Sequence, residues 1–217
     1  MSTASLPLIF PWAMSSHAPA PFVFVGNHRA LDFVNTEVAA GGVARDLLGS
    51  FADLTSWLEQ AGALDRASAR AALAQWEGKR ASETVLEEAR TLRAALRRLA
   101  DAAAQGRPVP RATLERVNEL LARAAAVERV VLDAEGAFVT RRSLRLRQPV
   151  DLLVPVAEAA ADFVCHADLG RVRRCAHPEC VLYFLDGTKN GTRRWCDMRT
   201  CGNRANAAAY YRRQRSS

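Results

Sequence analysis

The chain has 217 residues, of which 49% are hydrophobic and 24% are charged, and its formal net charge is +7. This composition is typical of a globular protein with a buried core, which excludes a wholly disordered chain. No apolar run approaches the roughly 18 residues of a transmembrane helix, so we expect neither a membrane span nor a membrane partner.

The first 21 residues imitate a secretory signal, because an apolar stretch at residues 6–14 is followed by Ala18-Pro19-Ala20. No Lys or Arg precedes the apolar stretch, and prolines interrupt it, so we reject a signal peptide. Since Pro and Ser are frequent there and no helical period is present, we expect residues 1–21 to form a disordered tail.

Three polar residues lie inside the first apolar segments of the chain. Residues 22–25 are typical of a strand, and residues 30–38 have a helical period that ends at Gly41-Gly42. Within this helix Asp32, Asn35 and Thr36 have apolar neighbours, and buried polar groups need partners. These three side chains either form a polar network that fixes the helix to its neighbours, or line a cavity for a small-molecule effector.

Helices are predicted over most of the next seventy residues. Ser50 and Asp65 are placed to cap two of them, and Trp57 and Trp76 lie on their apolar stripes, so both rings are expected in the core. A third helix, the longest, begins at Ser82 and runs to about residue 104. A fourth begins at Pro110.

The longest predicted helix is rich in both arginine and acidic residues. Because the two signs alternate along it, we expect its arginines to form a solvated face. These residues are Arg90, Arg93, Arg97 and Arg98.

The pattern then changes to strands. Residues 127–132 and 137–147 predict a hairpin around a turn at residues 133–136. A strongly apolar helix follows from Pro149, and Cys165 at its end is expected to be a small buried thiol. We therefore expect one mainly α domain of the α+β class, with a small β-hairpin, over residues 22–168.

Four of the five cysteines fall near the C-terminus as two pairs. Four residues lie between Cys175 and Cys180, four between Cys196 and Cys201, and fifteen between the pairs. Two short cysteine loops joined by such a spacer predict a structural site for one Zn²⁺ with four thiolate ligands. The alternatives are two disulfides or four unrelated thiols. His166 and His177 are not expected as zinc ligands. Free thiols arranged for a metal are typical of a reducing compartment, so we expect the protein in the cytoplasm.

The positive charge is concentrated around these cysteines. Residues 171–217 carry eleven Lys and Arg but only three Asp and Glu, whereas the other 170 residues are nearly neutral. A basic surface on a small zinc-bound segment is typical of nucleic-acid binding. The candidate contacts are Lys189, Arg193, Arg194, Arg199, Arg204, Arg212, Arg213 and Arg215.

These residues carry a family resemblance. The C-terminal segment resembles the CGNR zinc finger through its four cysteines, Trp195 and the run Cys201-Gly202-Asn203-Arg204. Residues 30–36 resemble the start of the α-rich ABATE domain that accompanies this finger. The resemblance implies a bacterial transcription regulator, with a treble-clef-like finger over residues 169–217 that binds DNA. Residue patterns also fit such a finger, with a strand at 181–185, a return at 192–195 and a helix from about 201 to 213.

Several functions stay open at this stage. The first expectation is a DNA-binding regulator with a zinc-stabilised finger. It can form a homodimer, and a small-molecule effector can change its DNA binding. An RNA-binding or protein-interaction adaptor would use the same charges. A metalloenzyme is the least favoured, because four cysteines leave zinc no open position and no nucleophile–base pattern is present, so we expect no enzymatic activity.

Overall fold

The computed structural model describes residues 22–40 and 43–215. The tail predicted for residues 1–21 and the break predicted at Gly41-Gly42 lie outside the described residues. Within them the fold is mainly helical with small antiparallel sheets, as predicted. Among the helices of this part of the chain, none combines the length and the apolar character needed to cross a membrane.

The described segments contain the following elements. The helices are α1 (Arg29–Val34), α2 (Phe51–Gln60), α3 (Arg66–Trp76), α4 (Arg80–Ala104), α5 (Arg111–Leu121), α6 (Val154–His166) and α7 (Asn203–Arg215). The strands are β1 (Glu37–Ala40), β2 (Val43–Asp46), β3 (Ala126–Leu132), β4 (Phe138–Leu144), β5 (Val172–Arg174) and β6 (Tyr183–Leu185), paired antiparallel as β1–β2, β3–β4 and β5–β6.

Local capping explains where two helices begin. Ser50 Oγ accepts from the Asp53 amide at 3.1 Å at the start of α2, and Asp65 accepts from the Ser68 amide at 2.9 Å at the start of α3. Both caps were predicted. The longest helix, α4, begins at Arg80, two residues before the predicted start, because Ser82 instead donates its hydroxyl to the Lys79 carbonyl.

Helix α4 forms the centre of the hydrophobic core. It packs against α1, α2 and α5, and also against β5, which belongs to the cysteine-rich segment. Trp57 and Trp76 are both buried in this core, as predicted. Val172 of β5 and Tyr183 of β6 belong to the same core. The C-terminal segment is therefore packed into the helical domain through its two strands.

The segment after α1 is a hairpin rather than a longer helix. The prediction that the helical face extends to Val38 is wrong, since α1 ends at Val34 and β1 pairs with β2, with Glu37 opposite Asp46. Thr36 ends the helix by donating its hydroxyl to the Phe33 carbonyl at 2.7 Å. The strand predicted at residues 22–25 is also absent from the described structure, where this segment is irregular.

The solvated arginine face predicted on α4 is wrong for three of its four residues. Arg93 is 5% exposed and forms two hydrogen bonds of 2.6 and 2.7 Å with the Asp46 carboxylate of β2. Arg90 and Arg97 are half-buried and donate to backbone carbonyls at 2.8–3.1 Å. Only Arg98 is exposed. The β1–β2 hairpin and the C-terminal segment supply the acceptors that face α4.

The predicted second hairpin is present as β3–β4, with Leu132 opposite Phe138 beside the turn. The predicted apolar helix is also present, as a 3₁₀ turn over Pro149–Leu153 that continues into α6. Cys165, however, is exposed. It lies in the last turn of α6 on the side that faces solvent, so the expectation of a buried thiol is wrong.

Candidate metal centre and the surface around it

The four paired cysteines meet at one point. The sulfur atoms of Cys175, Cys180, Cys196 and Cys201 all lie within 4.8 Å of one another, and all four residues are buried. Cys196 Sγ is 3.7 Å from Cys180 Sγ and 3.5 Å from Cys201 Sγ. Sulfurs bound to one tetrahedral Zn²⁺ at about 2.3 Å are about 3.8 Å apart. The donor set therefore fits one structural zinc ion.

The alternatives considered for these cysteines do not fit the geometry. A disulfide requires a sulfur–sulfur distance of about 2.05 Å, and the cysteines are free thiols. His177 accepts from the Glu179 amide and His166 pairs with Asp162, so neither ring joins the sulfur cluster. A complete four-thiolate site leaves zinc no open coordination position.

Two elements of the finger bring the ligands together. The short ladder β5–β6 places Cys175 directly after β5, where its amide donates to the Leu182 carbonyl at 2.9 Å. Cys201 lies in a helical turn over Met198–Gly202 that continues into α7. The strand predicted at residues 181–185 is β6, but its partner is β5, and residues 192–195 form no strand. Arg193 explains this difference, because its amide is bound by Asp186 instead of by a strand.

Donors around the sulfurs favour the thiolate form. The Cys196 amide lies 3.4 Å from Cys175 Sγ, and Arg204 Nη2 lies 3.1 Å from Cys201 Sγ. The interaction with Cys175 raises the pKa of Cys201, but Cys180, Cys196 and Arg204 outweigh it and lower that pKa to about 6, whereas hydrogen bonding with Cys175 raises the pKa of Cys180 and Cys196. Since zinc binds thiolates, such donors help a cluster of negative charge to form in a buried position.

Gly202 is required by packing beside the centre. A Cβ atom on Gly202 would collide with Met198 Sδ and lie 3.1 Å from Trp195 Cδ1. Two large side chains thus fill the space beside this glycine, and a side chain here would require Met198 to shift.

A buried carboxylate that the sequence did not identify holds the loop between the cysteine pairs. Asp186 is fully buried and accepts from the Thr188 amide at 2.9 Å, the Thr188 hydroxyl at 2.6 Å and the Arg193 amide at 2.9 Å. The Thr188 hydroxyl bond, together with these amides, lowers the pKa of Asp186 despite its burial. The Asp186-Gly187 pair is a turn signal in the sequence, but it does not show that the carboxylate closes the loop.

Two of the candidate nucleic-acid contacts are engaged inside the finger. Arg193 donates to the carbonyls of Val25, Trp195 and Cys196, and its guanidinium lies 4.1 Å from the centre of the Phe184 ring. Arg204 is turned toward Cys201. The geometry gives both side chains a role in holding the metal centre together.

The other candidate contacts lie on the outer surface of the finger. Arg194 is exposed and its guanidinium lies 5.1 Å from the centre of the Trp195 ring. Helix α7 has no buried residue, and Tyr210 and Tyr211 are exposed on it. The exposed candidates are Lys189, Arg194, Arg199, Arg212, Arg213 and Arg215, which we call the outer basic surface.

The N-terminal polar cluster holds backbone segments together. Asn35 is fully buried and forms two 2.9 Å hydrogen bonds with the backbone of Tyr183, one through each end of its amide. Asp32 accepts from the Gly26 amide at 2.8 Å, and Thr36 accepts from Arg93 at 3.1 Å. None of the three lines the cavity beside the metal centre. The structure therefore favours the network over the effector site.

Two family models match the chain. The ABATE model, described as "Putative stress-induced transcription regulator", matches residues 27–167. The CGNR zinc finger model matches residues 171–214. No curated protein matches the chain.

Proposed function

The chain belongs to the ABATE family and carries a CGNR zinc finger, and on this premise we propose that it is a transcription regulator whose finger binds DNA. The outer basic surface is the observation that carries the proposal. Its six cations are exposed on the finger, in which Asp186 and the β5–β6 ladder hold the loop between the cysteine pairs. Exposed Arg and Lys side chains on one small unit can neutralise the phosphates of a nucleic acid.

A concave part of this surface suits a polynucleotide backbone. It has a volume of about 400 Å³ and lies between the loop that Asp186 holds and the turn leading to α7. Arg194 and Trp195 contribute a cation and an aromatic ring, and the Thr188 and Thr192 hydroxyls lie beside them. These are the groups that proteins use to hold phosphates and to stack on bases.

The helical turn that leads into α7 is already capped by an acidic side chain. The helical turn before α7 begins at Asp197, whose carboxylate accepts from the Arg199 amide at 3.1 Å. An acidic cap already occupies the position where a phosphate would meet the helix dipole. The proposed contacts are accordingly the side chains of the outer basic surface.

We propose further that the protein acts by binding and not by catalysis. A zinc ion held by four thiolates has no position for a water or a substrate, so it supplies structure and no chemistry. Reduced thiols are also the state expected in the cytoplasm, where we place the protein. The helical domain would fix the orientation of the finger, since Asn35 and Arg97 bind its backbone at Tyr183 and Val181.

Salt-dependent binding by the zinc-loaded full chain tests the proposal. If most of the six cations meet phosphates, affinity for a random duplex falls about a thousandfold between roughly 50 and 200 mM salt. Fluorescence anisotropy with a labelled duplex measures this, with single-stranded DNA and a structured RNA as competitors. Absence of salt-dependent duplex binding contradicts the proposal, and stronger competition by the RNA would assign the finger to RNA.

A further inference from the structure

An apolar cavity lies between the metal centre and the β1–β2 hairpin. Its walls come from three parts of the chain that are distant in sequence: the irregular segment before α1, the hairpin, and the finger. Its apolar lining residues are Val23, Val25, Val38, Ala39, Leu47 and Leu182, and the zinc ligands Cys180, Cys196 and Cys201 complete that wall. The cavity is distinct from the outer basic surface, which includes none of these residues.

The size of the cavity selects small molecules. Its volume is about 140 Å³. An apolar cavity of about 150 Å³ engineered in another protein stays dry and admits benzene. A single six-membered ring therefore fits this space, which is partly open at one side.

One cation lies at the edge of this apolar space. Residue pairing across β1–β2 puts Glu37 opposite Asp46 and Val38 opposite Arg45. Val38, Ala39 and Arg45 of this hairpin line the cavity, whereas Asp46 binds Arg93 of α4. Arg45 is exposed and forms no ion pair with any residue in 22–40 or 43–215.

The remaining polar groups of the wall are already engaged with the finger. The Asp197 carboxylate accepts from the Arg199 amide and lies 3.4 Å from the Thr200 hydroxyl, and Arg204 is turned toward Cys201. Arg45 is thus the polar side chain of the wall that can bind a ligand. Because it is positively charged, it favours an anion. A guanidinium binds a carboxylate through two parallel hydrogen bonds.

We propose that this cavity binds a small monocyclic aromatic carboxylate, with the ring among the valines and leucines and the carboxylate at Arg45. A ligand in this position contacts the hairpin and three zinc ligands together, so it holds the finger against the helical domain. That regulatory consequence rests on the proposed DNA binding, whereas the binding site itself does not.

Direct binding of benzoate to the zinc-loaded full chain tests the site without DNA. Titration calorimetry and thermal unfolding should show benzoate binding at millimolar concentration with a rise in unfolding temperature. Arg45→Gln should weaken benzoate about tenfold, the loss expected for one charge-assisted contact, and leave benzamide unchanged. Arg70→Gln, which removes an exposed arginine on α3, is the matched control. Absence of benzoate binding, or equal weakening of benzamide by Arg45→Gln, overturns the proposal.

Variants that fill the space locate the ligand. Val38→Trp and Val23→Phe each place a larger side chain in the cavity from a different wall, so both should abolish benzoate binding. Zinc content of one ion per chain shows that each variant is folded. If folded Val38→Trp and Val23→Phe both keep the wild-type affinity, the ligand lies elsewhere and the proposal is wrong. Loss of DNA binding with benzoate binding intact would instead refute only the proposed function.

Discussion

The arginines of α4 and those of the outer basic surface lie in opposite environments. On α4, Arg93 is almost wholly buried and binds Asp46, and Arg97 reaches the carbonyls of Val34 and Val181. On the finger, Arg194 and Arg199 are exposed. Both groups of arginines have the same side-chain chemistry. The hydrogen-bond acceptors that lie opposite an arginine therefore decide whether it is held inside the protein or exposed. Arg97 joins the finger to the helical domain and Arg93 binds the β1–β2 hairpin, whereas the outer arginines are exposed to solvent.

The metal centre holds together the finger, which Arg97 contacts and which carries the outer basic surface, so its loss should have the largest effect. Chelation of zinc, or Cys196→Ser, removes the bonds that hold residues 175–202, and four thiolates cannot stay buried together without a cation. We expect α7 and the finger to lose their order while most of the helical circular dichroism remains, since all buried residues of the main core except Val172 and Tyr183 precede the finger.

Cys165→Ser is the control for this experiment. Cys165 is exposed and lies outside the metal centre, so its substitution should change neither zinc stoichiometry nor the dichroism spectrum. Complete loss of helical signal on chelation would contradict a helical domain that folds around its own core.

The Arg93–Asp46 pair should give the next largest effect. Arg93→Ala leaves Asp46 without its main partner, and breaking a buried ion pair costs about 3–5 kcal/mol. We expect about 3 kcal/mol, because the Asp46 side chain is one-third exposed. Denaturant unfolding measures the loss. Arg98→Ala, on the exposed side of the same helix, should change stability by less than about 0.5 kcal/mol; equal losses in the two variants would remove the distinction between the two environments.

The same pair predicts a dependence on pH. Burial raises the pKa of Asp46, but the hydrogen bonds from Arg93 and the Leu48 amide, together with the charges of Arg93 and Arg90, outweigh it, and the resulting pKa lies below the ordinary 3.8. A lowered carboxyl pKa contributes stability that is present above pH 3.8 and is lost as the pH falls through the folded value. Asp46→Asn should therefore flatten the fall in stability between about pH 4 and pH 2, measured by unfolding at each pH. If Asp46→Asn loses stability at acid pH as steeply as the wild type, the Arg93–Asp46 ion pair is not the source of that loss.

Tyr183 makes a smaller connection between the finger and α4. Its hydroxyl donates to Asp101 of α4 at 2.5 Å. Burial and this bond raise the pKa of Tyr183 to about 12. The contribution of this neutral hydroxyl to the stability of the fold is complete below pH 10 and is lost as the pH rises through 12. Tyr183→Phe should cost about 1–2 kcal/mol at neutral pH and reduce the alkaline loss of stability, and an unchanged unfolding midpoint would contradict the connection.

Local signals in the sequence predicted the parts of the molecule that depend on nearby residues. The helix caps at Ser50 and Asp65 and the paired cysteines are fixed by short spacings, and all were predicted correctly. Asn35 binds Tyr183 from 148 residues away and Arg97 binds Val181 from 84 residues away. No local sequence pattern identifies partners so far away in the chain. The arginines of α4 were therefore predicted to be exposed to solvent. Strand β5 was also missed, because three residues are too few to show alternation.

The most direct test of the central claim compares two pairs of exposed arginines. Arg194→Gln with Arg199→Gln removes two charges from the outer basic surface, and Arg70→Gln with Arg80→Gln removes two from the helical domain. Each phosphate contact contributes about 0.9 to the slope of log affinity against log salt. The finger variant should therefore reduce that slope by about 1.8, and the control pair should leave it unchanged. Equal slopes in both variants and the wild type would show that the outer basic surface does not contact the duplex.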